Sequence, residues 1–487
     1  MRITIVIVYV VVLLAFGTGA AGAQTYDSGS TGALGPFNLP NAACPTSPNC
    51  TVTLPDNTGE LHYTTVTIPS PWVVKFAKNS ANSPNTPIVI RATGNVTIAG
   101  TIDVSGAAGG SGVYNLTLLG PNGGQGGPGG FNGGVGANAI VATSGGVGLG
   151  PGGGGGGDGG NPSFHGGGAG FAIAGSSASP GGAGGVAYGT PSLLPIVGGS
   201  GGGGGGTLVG SSAGGGGGGG GALVIASSGT ITFGASGAVG TILAKGGNGG
   251  AGSICVCSAG GGGGSGGAVR LVATTIISTG SHGQINVSGG AAGGGTAPGA
   301  TGAGARGRIR VESYTNTAFI NLVGAQPSVV LIPKPVTLAN TPTLRISAVG
   351  GVATPPAPQA SLGIPDVILP ATTTNPVQVS LTASQIPLGT TVLVSVKGQL
   401  GAGSSVVSTA LSGTVASSSA TANVTLPTTQ PSIIGASATF DLVASSGQGP
   451  VYAEGERVER VRIVASLGGP AQVTYITASG REIPAPQ

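Results

Sequence analysis

Short apolar runs in which every second residue is small or polar recur between positions 88 and 313. Ile88 to Ala92 is followed by Val96-Thr-Ile98 and Thr101-Ile-Asp103. The pattern returns in Ala222 to Phe233 with Gly240 to Gly247, then in Ala268 to Ala273 with Gly283 to Gly289, and ends as a half-copy in Gly307 to Glu312. A period of two buries one face of a strand. Strand pairs that recur, and that cannot bury this face alone, predict a stack. The expectation for 88–313 is a glycine-rich β-solenoid or β-helix-like body, with Ile98, Ile102, Ile231, Ile242 and Ile285 facing one core.

The flanks read differently. Positions 24–87 contain alternating stretches such as Tyr63 to Ile68 and Trp72 to Phe76. They are expected to form a β-rich N-terminal cap, since an uncovered first coil exposes apolar side chains and unpaired backbone groups. Positions 314–375 read as a Pro/Thr-rich connection with short strands, because the prolines of Thr354-Pro-Pro-Ala-Pro358 cannot donate to a ladder. Val377 to Leu381, Val392 to Val396, Ala420 to Leu426 and Ala438 to Leu442 alternate between turn residues. This predicts an immunoglobulin-like (Ig-like) β-sandwich over 376–450, followed by a C-terminal hairpin over 451–487. The whole chain is expected to be all-β.

Between the strand segments the chain is dominated by glycine. Of its 105 glycines, 80 fall between positions 101 and 310, in runs such as Gly123 to Gly130, Gly152 to Gly157, Gly201 to Gly206 and Gly214 to Gly221. Each glycine in a regular element costs about 0.5–1 kcal/mol relative to alanine. Either close backbone contacts offset that cost, in extended polyproline II-like segments with three residues per turn, or the tracts are flexible coil. The tracts lack charge and carry Val, Leu, Ile and Phe, unlike most unfolded segments. The two readings stay open on sequence alone.

Targeting and charge narrow the function. Arg2, the apolar run Ile3 to Phe16 and the small residues Ala21-Gly-Ala23 read as a signal peptide over 1–23, with a mature chain starting at Gln24 and containing no transmembrane segment. The product is expected to be secreted, extracellular or on a bacterial outer surface. Between Val104 and Ala305 the only charged residues are Asp158, Lys245 and Arg270, which argues against nucleic acid as a partner. Cys44 and Cys50 bracket a turn-rich loop and are expected to form a disulfide. Cys255 and Cys257 are separated by one residue; a strained bond or a metal site are the alternatives there, and no His or acid adjoins them in sequence.

The segment Asn95-Val-Thr-Ile-Ala-Gly-Thr-Ile-Asp-Val-Ser-Gly106, the glycine runs after it, and Gly266-Gly-Ala-Val-Arg-Leu-Val-Ala273 resemble glycine-rich exported surface proteins of Gram-negative bacteria with a β-helix-like body. The likeness spans residues 26 to 313. It implies a structural or adhesive role, and it carries no catalytic residues across. The C-terminal Ile483-Pro-Ala-Pro-Gln487 departs from the autotransporter pattern, which ends in amphipathic barrel strands.

Several motifs invite sharper readings. Gly198-Gly-Ser-Gly-Gly202 and Gly263-Gly-Ser-Gly-Gly267 fit a nucleophile elbow, but arise readily in a polyglycine background, and His62, His165 and His282 are scattered. Asp158 is alone where a stacked calcium repeat needs several Asp, and Asp103 with Asp158 is no convincing acid pair for glycoside chemistry. Arg306, Arg308, Arg310 and Glu312 share one face of a strand. That stripe is either a contact for anionic polysaccharide or a solvated edge that discourages strand addition. Trp72 and Tyr63 are expected in the core rather than stacked on sugar. The leading expectation is a non-enzymatic structural or adhesive surface protein without a cofactor, with cell-surface polysaccharide or self-association as the partner. A carbohydrate-active or carbohydrate-binding β-helix protein is one alternative, and an ice- or surface-binding protein the other.

Overall fold

The computed structural model describes residues 24–46, 48–54, 59–77, 86–113, 120–138, 144–159, 164–193, 196–207, 211–235, 237–253, 258–280, 282–295, 302–334, 342–355, 365–398, 403–441, 452–453, 456–466, 472–477 and 479–484. Among these residues the fold is all-β, with no helix.

Up to Val330 every strand pairing is parallel. A long sheet of nine strands is centred on Ala222–Phe233, Ala268–Ser278 and Gly307–Asn316. A short sheet stacks Asn49–Thr53, Val73–Ala77, Thr101–Asp103, Thr241–Leu243, Gly283–Asn286 and Ile320–Val323 in that order. The chain visits the sheets alternately, so like residues fall into register. Ile102 lies beside Ile242, which lies beside Ile285, and Val96 lies beside Ile231. The expected row of isoleucines, Ile98, Ile102, Ile231, Ile242 and Ile285, is indeed fully buried in one core. Each such side chain contributes about 1.5–3 kcal/mol on burial.

Ala222–Phe233 pairs first with Ile88–Ala92 and then with Val96–Ile98. The hydroxyl of Ser227 bridges the break by donating to the Gly94 carbonyl at 2.7 Å, and Asn95 Oδ1 accepts from the Thr230 N–H at 2.9 Å.

The long sheet is covered on its outer face as well, which explains the continuous apolar run Ala222 to Ala226 and the run Ala268 to Ala273, apolar but for Arg270. Phe171, Leu193 and Ile196 pack there. Residues 26–30 run across several strands. The Tyr26 N–H donates to Thr274 Oγ1, the Ser28 N–H to Ser228 Oγ, and the Ser30 hydroxyl to the Tyr63 carbonyl.

From Thr343 onward the pairing is antiparallel. Two sheets, one containing Val377–Ser384 and Ser417–Val424 and the other containing Thr391–Gly398 and Ser432–Asp441, share a separate core. Strands of 24–87 are members of the same parallel sheets as the body, and those sheets continue to Val330. Thr343–Val349 and the terminal strands Glu456–Ser466 and Gln472–Thr477 join the antiparallel sheets.

Candidate functional site

The glycine tracts are ordered through their own backbone. From Gly214 to Ala222 the N–H groups address three neighbours in rotation. Gly214, Gly217 and Gly220 donate to Ala259, Gly262 and Ser265; Gly215, Gly218 and Gly221 to Gly110, Ala107 and Val104; Gly216, Gly219 and Ala222 to Gly134, Phe131 and Pro128, all at 2.7–3.0 Å. A rotation of three is the polyproline II period. None of the glycines from 214 to 221 has positive φ. The flexible-coil reading is thereby set aside for the described tracts. A net hydrogen bond contributes about 0.5–1.5 kcal/mol. That is comparable to the cost of each glycine, so the lattice holds where every donor finds a carbonyl.

Strands of the short sheet lead straight into one layer of this lattice. Gly106, Gly109 and Gly112 donate to Lys245, Asn248 and Ala251, while Gly246, Gly249 and Gly252 donate to Ser288, Ala291 and Gly294. At every third position a side chain faces outward: Ala108 and Ser111, Lys245, Asn248 and Ala251, and Ala291 are exposed. The result is a surface of small and amide side chains with one cation, Lys245. Asn248 Oδ1 accepts from the Ala291 N–H at 2.9 Å and ties two of its segments together.

A second polar group lies beneath cover on the outer face of the long sheet. Parallel register sets Arg270 beside Arg310 and Val272 beside Glu312. Glu312 Oε1 accepts from Arg270 Nε at 2.9 Å and from Arg310 Nε at 2.6 Å, and its Oε2 accepts from the Lys334 N–H at 2.7 Å. Arg270 also donates to the Lys334 carbonyl, and Arg310 to Ser328. Arg270 and Glu312 are fully buried. Arg308 sits 5.7 Å from the centre of the Phe171 ring and donates to the Tyr188 carbonyl. Burial lowers its pKa, against the opposing effect of Tyr188. Burial likewise raises the Tyr26 phenol to about 12, although Arg270 and Arg91 pull it down.

This corrects the reading of the arginine stripe. Arg306 is exposed, whereas Arg308 and Arg310 are buried, so these two form neither a solvated edge nor an accessible anionic-ligand stripe. The signal was present in Arg270, a lone charge inside an apolar run. A charge there is buried, and a buried charge needs a partner within reach.

The remaining candidates fall into place separately. Cys44 and Cys50 are bonded, with Cα atoms 5.2 Å apart. Cys255 and Cys257 lie outside the described residues. The serines of the two Gly-x-Ser-x-Gly motifs meet: the Ser200 N–H donates to Ser265 Oγ at 2.8 Å, and Ser200 Oγ donates to the Tyr188 hydroxyl. His165 is elsewhere in the lattice, its Nδ1 accepting from the Gly260 N–H; His62 pairs with Glu60, and His282 packs edge-on to Phe319. The serine pair braces two glycine segments alongside the backbone bond from the Ser265 N–H to the Ser200 carbonyl. Trp72 and Tyr63 are buried in the main core. Among the described residues no three His, Cys, Asp or Glu side chains gather as metal ligands, and no helix is long and apolar enough to cross a membrane. The antiparallel part contains a cavity of about 360 Å³ bounded by Val349, Leu369, Asn375, Leu426, Gln430 and Ile434.

No protein-family model, curated protein or solved structure matches this chain.

Proposed function

We propose that the protein is an exported, non-enzymatic structural or adhesive surface protein. In this reading its parallel part is a β-solenoid carrying a polyglycine bundle, and its antiparallel part an Ig-like sandwich module. The observation that carries the reading is the rotation of Gly214 to Ala222 hydrogen bonds among three neighbours. Such a bundle has backbone at its centre and few side chains, so it supplies shape and stiffness rather than reactive groups. The surface holding Ala108, Asn248 and Ala291 is uncharged apart from Lys245, and suits a neutral, hydroxyl-rich partner such as cell-surface polysaccharide better than an ionic one.

Export rests on the apolar leader and its small-residue end, which lie outside the described residues, and on the Cys44–Cys50 bond, which suits an oxidising compartment. A narrower reading as a carbohydrate-binding protein is favoured by the 360 Å³ cavity, where Thr373 and Thr428 stand among aliphatic side chains.

Fractionation of expressing cells, with protease treatment of intact cells and a polysaccharide-binding assay on the purified chain, tests the proposal. Surface-accessible protein beginning at Gln24 is expected, with binding to neutral glycans that persists at high salt. An intracellular full-length product that binds no polysaccharide would remove the basis for it.

A further inference from the structure

The apolar rows of the parallel core are closed at one end of the stack and open at the other. In the short sheet the row Cys50, Val74, Ile102, Ile242, Ile285 is at most 2% exposed. It begins under the bonded Cys44, which is buried with Leu39 in the same core. It ends at Leu322, which is only partly buried. In the long sheet Leu61, Ile90, Ile225, Leu271 and Val311 are at most 3% exposed, while the next residue in register, Val329, is 54% exposed. Phe319 at 71%, Leu331 at 64% and Ile332 at 68% extend this uncovered end. No residue from Thr317 to Pro333 is charged.

We infer that this end docks a second copy of the chain across a two-fold axis. The occupant has to continue aliphatic rows and offer a strand edge to Ile320–Val323, the terminal strand of the short sheet. That strand has neither proline nor charge, the usual devices that keep edges apart. In the long sheet Pro327 removes a donor from the terminal strand, so pairing is confined to the short sheet. A second copy of the same end meets both demands. Across a two-fold axis Ile320–Val323 meets its copy antiparallel, and an uncharged patch has no like charges to repel when it meets itself. Among the described residues the core row at the opposite end is covered by the disulfide-bonded loop, so head-to-tail growth meets no matching open apolar row there. The contact therefore closes as a dimer, independently of the adhesive reading.

Sedimentation and light scattering of the purified full chain at micromolar concentration test this. A dimer is expected. Val329→Lys and, separately, Phe319→Lys should each weaken it by at least about thirtyfold, the size of a hot-spot loss, with the circular dichroism spectrum unchanged because both side chains are mostly exposed. Val186→Lys, at a 64% exposed position of the glycine region, should leave it intact. A monomeric wild-type chain, assemblies that grow beyond two, or a dimer indifferent to both lysines would overturn the inference. If Val329→Lys perturbs the fold, Phe319→Lys alone decides.

Discussion

A Cβ placed on Gly217 would stand 2.0 Å from the carbonyl oxygen of Gly247. The atom in the way is backbone, which has no rotamer to change, and it belongs to a segment held by its own hydrogen bonds. Gly217→Val should therefore push two packed segments apart and cost about 2–3 kcal/mol or more, as overpacking of a dense interior does. Gly294 is the control, since a Cβ there meets nothing within 4 Å, and Gly294→Val should stay within about 0.5 kcal/mol of wild type. Thermal or denaturant unfolding of the two variants measures the contrast. Equal, small effects would mean that the tracts do not pack as described.

Glu312 offers one carboxylate to two guanidinium groups in the interior, so its removal leaves Arg270 and Arg310 without their counter-charge. Glu312→Gln should destabilise the fold by about 3–5 kcal/mol. Replacing Arg270, Arg310 and Glu312 together by aliphatic residues should cost much less than the single change, because no buried charge is stranded. Chemical denaturation of the single and triple variants separates the two cases, and a single variant within about 1 kcal/mol of wild type would contradict the buried arrangement.

The isoleucine rows were legible in the sequence because alternation is local: Val96, Thr97 and Ile98 state their own orientation. The same holds for Cys44 and Cys50, six positions apart. Arg308 and Arg310 were misread for the opposite reason. What covers Arg308 is Phe171 and Tyr188, and its hydrogen bond to Tyr188 spans 120 residues of chain. A local rule that places charge in solvent has no access to such cover. The glycine tracts lie between these cases. Their three-residue spacing was visible, but the partner of Gly217 is Gly262 and that of Gly218 is Ala107, and nothing in a run of identical residues names its neighbours. The meeting of Ser200 with Ser265 was hidden in the same way.

The Cys44–Cys50 bond holds the loop that covers the first row of the core. It closes a short loop, so on the chain-entropy model its loss costs about 2 kcal/mol. Cys44→Ala with Cys50→Ala should lower the unfolding midpoint accordingly while leaving the antiparallel part unchanged. Unreduced peptide mapping of the wild-type chain should recover the linked pair, and free thiols at both positions would refute the bond.

Alkaline pH should unfold the protein through its buried phenols. Tyr26 and Tyr63 are both pushed up to about 12 by burial, from an ordinary value of 10.0. Below pH 10 both states keep the phenols protonated, and their contribution to stability is fully present. As pH rises from 10 toward 12 the unfolded chain releases these protons while the folded chain retains them, so stability falls through that window, and Tyr188, also raised by burial, adds to the fall. The unfolding midpoint measured at intervals across this range should decline, and Tyr26→Phe should remove part of the decline, because phenylalanine has no proton to lose. Tyrosinate absorbance provides the direct reading: in the folded chain these phenols should ionise later than in the denatured chain. Superimposable titration curves for the two states would show that burial does not hold their protons.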